Sequence, residues 1–213
     1  LDKLLQASLA EDIGARDLTS SLLPPGHHSK ADAIFKETAI LCGIAVAERV
    51  FRLVDEELRF LPVAKDGELI ETGRAIFYVE GATRSILTAE RVALNFLQHM
   101  SAVATKTRAF VDKTVGTNAK ILDTRKTTPL FRVLDRYAVR TGGGQNQRLA
   151  LWHGILIKDN HIAAAGGIAQ VLAAARELNA GVDIQIEVET LAQLREALDH
   201  GAVSVLLDNF DLS

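Results

Sequence analysis

Four short runs of ionisable residues stand out in the second half of the chain: Asp123-Thr124-Arg125-Lys126, Lys158-Asp159-Asn160-His161, Glu187-Val188-Glu189 and Asp208-Asn209. Arg125, Lys126, Arg148 and Lys158 supply positive charge. Arginine forks pair bidentately with carboxylate or phosphate, and lysine acts as a point charge. Glu187 and Asp208 supply hard oxygens of the kind Mg²⁺ takes while it carries a phosphate ligand. Their charge also suits a developing sugar cation. Several cations beside two carboxylates point to an anionic substrate together with a metal-bound pyrophosphate. Charges after a single strand are commonly just a solvated loop. Four such runs in succession fit that explanation poorly.

Each run ends, or lies in, an apolar segment of strand character. Ile121–Thr124, Ile155–Lys158, Ile184–Val188 and Val203–Leu207 read as strands. Arg132–Val139, Ile168–Leu178 and Leu191–Leu198 read as the helices between them, the second with apolar residues at 168, 171, 172, 175 and 178. The strands are continuous apolar runs, as expected when both faces are buried. Alternating strand and helix predicts a parallel sheet with right-handed crossovers, open or closed into a barrel. In such barrels the strand carboxyl ends build the active face.

The first half has a different rhythm. Leu1, Leu4, Leu5 and Leu9, followed by Gly14, predict a first helix. Asp17–Ser20 and Pro24-Pro25-Gly26 read as loop. Ala31–Lys36, Leu58–Leu61 and Ala75–Glu80 read as strands, and Ile44–Val54 as a helix. Lys65-Asp66-Gly67-Glu68 is a turn. A longer helix is predicted from Thr83 to about Met100, with Ile86, Ala89, Ala93, Phe96, Leu97 and Met100 facing the core. Arg91, Asn95 and His99 lie off that stripe. The organisation is thus an α+β domain over residues 1–103 and an α/β domain over 104–213.

Other motifs are less telling. Thr141-Gly142-Gly143-Gly144-Gln145-Asn146 is a glycine-rich turn that either caps a helix or brings backbone close to a ligand. It lacks the Lys-Ser/Thr ending of a P-loop and the spacing of a dinucleotide fingerprint. His27-His28 reads as a solvent-facing loop. His161, beside Lys158, is the histidine expected near the site. No zinc spacing and no serine nucleophile elbow occur.

Composition narrows the class. The 213 residues are 48% hydrophobic and 24% charged, ample for a buried core, and carry a net charge of −3. That charge and 5% aromatics argue against a nucleic-acid partner. No apolar run approaches the roughly 20 residues of a membrane span. The lone Cys42, in an apolar run, is expected to be a buried inert thiol, which suits the cytoplasm.

The chain resembles the quinolinate phosphoribosyltransferase family. The resemblance rests on Glu11-Asp12-Ile13-Gly14 with Asp17–Ser20, on Glu90–Gln98, on Ile121–Pro129 (ILDTRKTTP), on Gly142–Arg148, on Leu156–His161 (LIKDNH), on Glu187–Glu189 and on Leu206–Asn209. These segments occur in family order across nearly the whole chain. ILDTRKTTP and LIKDNH are the specific ones.

The resemblance implies a reaction: quinolinate and phosphoribosyl pyrophosphate give nicotinate mononucleotide, pyrophosphate and CO₂, a step of NAD biosynthesis. It implies an N-terminal α+β domain beside an incomplete, TIM-like α/β barrel. It implies a homodimer or higher homo-oligomer in which Arg91 is donated across the interface. Arg125, Arg148 and Lys158 would hold the quinolinate carboxylates, with Thr124, Gln147 and His161 beside them. Lys126, Glu187 and Asp208 would face phosphoribosyl pyrophosphate, with Mg²⁺ on Glu187 and Asp208, and serve as the catalytic groups.

Three departures from the family pattern matter. Gln147 stands where histidine is usual, and glutamine donates a hydrogen bond without being cationic. Leu130 follows the TTP where glycine is usual, so a positive φ there would be strained. Ser101-Ala-Val-Ala-Thr105 replaces an SGIAT-like segment. The family also continues beyond the position of Ser213 with its last barrel strands and phosphate-gripping loops, so the C-terminal barrel part is expected to lie outside this sequence. The alternative reading is a weakened or non-catalytic paralogue that binds an aromatic carboxylate.

Overall fold

The computed structural model describes residues 1–211. It divides into two compact units, one from Leu1 to Gln147 and one from Arg148 onward.

The first unit holds a three-stranded antiparallel sheet of order β1-β5-β3, with β1 at His28–Ile34, β3 at Arg59–Pro62 and β5 at Ala75–Ala82. β1 begins earlier than its apolar residues predict and takes in His28. It is an edge strand, so polar residues are tolerated along it and the apolar start signal is missing. His27 and His28 are nevertheless exposed, as expected. Two-residue strands β2 (Ala39–Ile40) and β4 (Leu69–Ile70) form a separate antiparallel pair. Helices α1 (Asp2–Ile13) and α2 (Ile44–Val54) match their predicted spans. Phe60 and Phe77 lie 4.5 Å apart by ring centroid, with Phe51 at 5.9 Å from each, at the heart of the core. Burial of each such ring stabilises the fold by roughly 1.5–3 kcal/mol.

The turn at Lys65–Glu68 does more than reverse the chain. Asp66 accepts hydrogen bonds from the N–H groups of Gly43 and Ile44 at 3.0–3.1 Å. Gly43 has no side chain to cap α2, so a carboxylate from a distant turn takes the exposed donors at the positive end of the helix. The Tyr137 hydroxyl also donates to Asp66, at 2.9 Å. Burial, then this bond, push the Tyr137 phenol up to about 12. Cys42 is fully buried, and burial pushes its thiol up to about 12, which makes it the inert residue expected.

Helix α3 runs over Thr83–Val111, eleven residues beyond the predicted end at Met100. Its predicted stripe is buried throughout. Past Met100 the buried face changes to Ser101, Ala104 and Thr107, small or polar residues that give no apolar signal. Polar bonds replace apolar bulk there. The Ser101 hydroxyl accepts from the Cys42 N–H, and the Thr105 hydroxyl accepts from the Ile40 N–H beside it in β2. Small side chains also let the end of α4 (Arg132–Thr141) approach closely. A Cβ on Gly142 would collide with the Ala104 carbonyl and lie 2.7 Å from Thr107 Cβ. Gly143, at φ 95°, bonds back to Arg140. The glycine-rich turn is a helix C-terminus packed on α3.

Ile121–Thr124 is not a strand. It makes a single parallel bridge, Leu122 to Gln145, after which the chain turns. The Thr124 hydroxyl accepts from the Lys126 N–H at 3.1 Å, and Thr127 N–H donates to the Arg125 carbonyl at 2.9 Å. These local bonds divert the backbone that a longer ladder would use.

The second unit is a parallel sheet in sequential order, β6 (Ile155–Ile157), β7 (Ile184–Val188) and β8 (Val205–Leu207). Helices α6 (Ile168–Glu177) and α7 (Leu191–Asp199) lie between these strands in the chain, close to their predicted spans. Thr190 and Gln193 cap α7 reciprocally: the Gln193 N–H donates to the Thr190 hydroxyl, and the Glu189 and Thr190 N–H groups donate to the Gln193 side chain. A short helix not read from sequence, α5, covers Asp159–Ala165. The core is Ile157, Ile168, Leu172, Ala175, Ile186, Val188 and Ala197. Leu206 and Leu207, on β8 at the end of the described sheet, are 37% and 52% exposed. Among the described residues no helix is long and apolar enough to cross a membrane.

Candidate functional site

The predicted site residues fall into two sets, one in each unit. In the second unit, the carboxyl ends of the parallel strands carry Lys158, Glu187 and Asp208 in that order. Parallel pairing sets this row. Glu187 lies opposite Leu206 in the register, and the Asp208 N–H donates to the Val188 carbonyl. Lys158 Nζ donates to both Glu187 carboxylate oxygens, at 3.1 and 3.0 Å. The Glu187 side chain is 13% exposed and that of Lys158 41%, so the carboxylate is sheltered and the ammonium half open. Asp208 is half-buried and accepts from the Asn209 side-chain amide at 3.1 Å.

His161 does not extend this row. It is exposed, in the first turn of α5, and its Nδ1 accepts from the Lys158 N–H at 3.0 Å. Its ring holds the start of the helix, directly after the lysine. The Arg148 guanidinium donates to the Gly154 carbonyl at 3.0 Å.

In the first unit, Thr124, Arg125 and Lys126 follow Asp123 in the chain and Gln147 bonds to it; Asp123 heads its run in the sequence but has no role assigned there. The Asp123 side chain is 5% exposed. It accepts from the Gln147 N–H at 2.7 Å, from Asn146 Nδ2 at 2.6 Å and from Arg136 Nη1 at 3.3 Å, and the ion pair with Arg136 closes to 3.1 Å at the other carboxylate oxygen. Arg136 also donates to the Gln147 carbonyl at 2.8 Å. Nothing in the sequence marks Arg136, which sits mid-helix in α4. Arg125 Nε is buried with no hydrogen-bond partner among the described residues. Thr124 and Lys126 are exposed. Arg91 is exposed on α3.

A second pairing was also missed. His99 Nε2 and Asp135 Oδ1 are 2.5 Å apart, and the His99 ring meets Phe131 edge to face at 5.0 Å. His99 borders two cavities of this unit. One is a groove of about 440 Å³ with Lys106, Phe110 and Leu122; the other is a cleft of about 350 Å³ with Glu11, Asn95 and Thr128.

Leu130 has φ 66° and is 84% exposed. The position following the TTP does require the left-handed region, and leucine occupies it.

As for metal donors, no cluster of three or more histidine, cysteine or acidic side chains that could hold an ion occurs among the described residues. Two carboxylates at adjacent strand ends remain a donor set that suits Mg²⁺ arriving with phosphate oxygens of its own.

Fold and site together define a mixed α/β protein whose second unit presents a cation and two carboxylates along the ends of a parallel sheet. Residues 17–101 match the N-terminal domain of quinolinate phosphoribosyl transferase, and residues 103–213 match its C-terminal domain. The chain is 43% identical over 211 residues to the probable nicotinate-nucleotide pyrophosphorylase [carboxylating] of Bacillus subtilis (strain 168), covering 98% of this chain and 73% of that one. It is 40% identical over 212 residues to the nicotinate-nucleotide pyrophosphorylase [carboxylating] of Mycobacterium leprae (strain TN), covering 97% and 74%. The crystal structure of NadC from Streptococcus pyogenes superposes with a TM-score of 0.93 at 41% identity, covering 99% of this chain and 75% of that one. The chain belongs to the quinolinate phosphoribosyl transferase family.

Proposed function

We propose that the protein transfers the phosphoribosyl group of phosphoribosyl pyrophosphate to quinolinate and releases CO₂. The ring nitrogen of quinolinate attacks the sugar C1. The bond from C1 to the pyrophosphate oxygen breaks, and its electron pair leaves on pyrophosphate. The ring C2–carboxylate bond then breaks, CO₂ departs, and a proton takes up the electron pair left on C2. The product is nicotinate mononucleotide.

The observation that carries this reading is the row Lys158, Glu187, Asp208 at the ends of adjacent parallel strands, in a chain of this family. Two anionic reactants repel each other, and fixed cations offset that repulsion. Arg125, Arg148 and Lys158 take the quinolinate carboxylates, with Thr124, Gln147 and His161 alongside. The unpartnered Arg125 Nε supports this assignment: a buried donor without an acceptor costs about 1–3 kcal/mol, which a substrate carboxylate would recover. Lys126 faces the pyrophosphate. Glu187 and Asp208 hold the Mg²⁺ that accompanies phosphoribosyl pyrophosphate and stabilise the positive charge that develops at C1. No protein nucleophile is required. Alignment of two bound reactants can by itself contribute roughly 7–11 kcal/mol in the best cases.

The working unit is a homodimer or higher homo-oligomer, with Arg91 donated to the partner's site. Its exposed position on α3 supports this. The second unit is part of a TIM-like barrel, supported by the sequential parallel order of β6, β7 and β8. The domain boundary at 103/104 is supported by family matches that end at 101 and resume at 103; α3 runs across it. A buried lone thiol supports a reducing, cytoplasmic setting.

The test is turnover by the purified full-length protein with quinolinate, phosphoribosyl pyrophosphate and Mg²⁺, followed as nicotinate mononucleotide and CO₂. Product from quinolinate and none from nicotinate is the expected result. Quinolinate binding without product would move the protein to the weakened-paralogue reading, with Gln147→His as the restoring substitution.

A further inference from the structure

We infer that the buried Asp123–Arg136 pair is a positioning device for quinolinate: it clamps the Gln147 backbone from both sides and so sets the dicarboxylate-binding half of the site. The inference rests on the proposed function, because it takes Gln147 and Arg125 as quinolinate contacts.

The geometry is specific. Asp123 Oδ1 takes the Gln147 N–H at 2.7 Å, and Arg136 Nη1 gives to the Gln147 carbonyl at 2.8 Å. One residue's peptide groups are thus held at both ends by the two members of one ion pair. Asp123 Oδ2 takes Asn146 Nδ2 at 2.6 Å, and Asn146 Nδ2 reaches the Arg136 carbonyl at 3.0 Å, which closes the network. The side chains of Asp123 and Arg136 are only 5% and 14% exposed. Bonds to a sheltered carboxylate are short and strong, and a network in which every member is satisfied holds one geometry. Asp123 also stands directly before Thr124 and Arg125, so the same carboxylate joins the two segments that supply quinolinate contacts in this unit. Lys126, assigned to the pyrophosphate, is held differently. Its N–H donates to the Thr124 hydroxyl in a local turn, one step removed from the Gln147 peptide groups that the clamp holds.

This difference makes the role measurable. A residue that served stability alone would, when changed, affect both substrates alike. Loosening the clamp should affect quinolinate selectively. Asp123→Asn keeps the shape but turns an all-acceptor carboxylate into a group whose NH₂ faces the donors of Arg136 or Asn146. In the full-length enzyme the KM for quinolinate should rise at least tenfold, which is about 1.4 kcal/mol. The KM for phosphoribosyl pyrophosphate should stay within about twofold. Quinolinate affinity measured by calorimetry without the second substrate should fall by the same factor. Equal quinolinate affinity in wild type and Asp123→Asn, or a parallel rise in both KM values, would overturn the inference. Should Asp123→Asn fail to fold, Arg136→Lys decides: it keeps the charge but loses the fork, and a selective rise in the quinolinate KM supports the clamp while an unchanged value overturns it. Wild-type protein that neither binds nor turns over quinolinate would instead sink the proposed function, a separate outcome.

Discussion

Lys158 Nζ lies 3.1 and 3.0 Å from the two carboxylate oxygens of Glu187, so the cation we propose for quinolinate and the anion we propose for phosphoribosyl pyrophosphate are paired with each other in the protein alone. The pair comes from β6 and β7, adjacent strands whose parallel register brings both ends to one side. It spares the sheltered Glu187 carboxylate the cost of an uncompensated charge.

Changing either partner should therefore damage catalysis more than folding. Lys158→Ala is expected to lower kcat/KM for quinolinate at least a hundredfold, leaving the protein almost inactive, while stability falls by about 1–3 kcal/mol because the sheltered Glu187 carboxylate loses its partner. Glu187→Gln is expected to lower kcat at least a hundredfold through lost stabilisation of developing charge. Steady-state assays and thermal melts on the same preparations separate the two effects. Near-normal turnover by Glu187→Gln would remove it from the reacting centre.

The proposed donation of Arg91 has its own readout. Arg91→Ala and Lys158→Ala proteins should each be almost inactive. Mixed and re-equilibrated, they should regain up to about a quarter of wild-type activity, because half of the assemblies are then hybrids with one intact site. No rescue, with subunit mixing verified by mass, removes the shared site.

Leu130 holds φ 66° while its side chain is 84% exposed, so the leucine pays strain and packs against little. A non-glycine residue in the left-handed region costs about 1–2 kcal/mol. Leu130→Gly should therefore raise the melting temperature by a few degrees, discounted for the greater freedom of glycine in the unfolded chain. A lower melting temperature would mean that the leucine makes a contact worth more than the strain.

Asp17 ties the loop after α1 to α3. It accepts from Ser20, through side chain and backbone, and from Thr88 at 2.9 Å. The Ser20 side-chain bond, then the Ser20 N–H, hold its carboxyl below the usual carboxylate range. A group with a depressed folded pKa contributes stability above its unfolded pKa, near 3.9. That contribution disappears as the pH falls toward the lower folded value. Asp17→Asn should be less stable than wild type at neutral pH, and the difference should shrink below about pH 4. A gap that persists unchanged to pH 2.5 in urea melts would rule out ionisation as its source.

Cys42 offers a probe of unfolding. With its thiol fully buried and pushed up to about 12, it should resist alkylation at pH 7.5 in the folded protein and react quickly in denaturant. Fast labelling of the native protein, measured by intact mass, would show that the region around β2 opens readily.

Local pattern was enough to locate most of this molecule's elements. Helix α2, the stripe of α3 up to Met100, the span of β7 and the starts of α6 and α7 are all written as apolar periodicity. So are the ends of the parallel strands, and with them Lys158, Glu187 and Asp208. Motif order was enough for the family. The left-handed turn at Leu130 was visible too, as a departure at a place where backbone geometry limits the side chain.

What only the tertiary structure decided lies where the stabilising partner is far away in sequence. α3 continues past Met100 because Ser101 and Thr105 bond to the backbone around residues 40–42, and because α4 needs a small face to pack on. Ile121–Thr124 is a single bridge and not a strand because its ladder with Gln145 stops where the residues after it fold into a local turn. His161 caps the helix that follows Lys158, a role no spacing rule reveals. Asp123 and Arg136 are thirteen residues apart and meet only once α4 has folded back, so no periodicity could pair them. Apolar burial repeats with the backbone and is legible along the chain. A polar network depends on which donors and acceptors are left over after the backbone has been paired, and that is settled only in three dimensions.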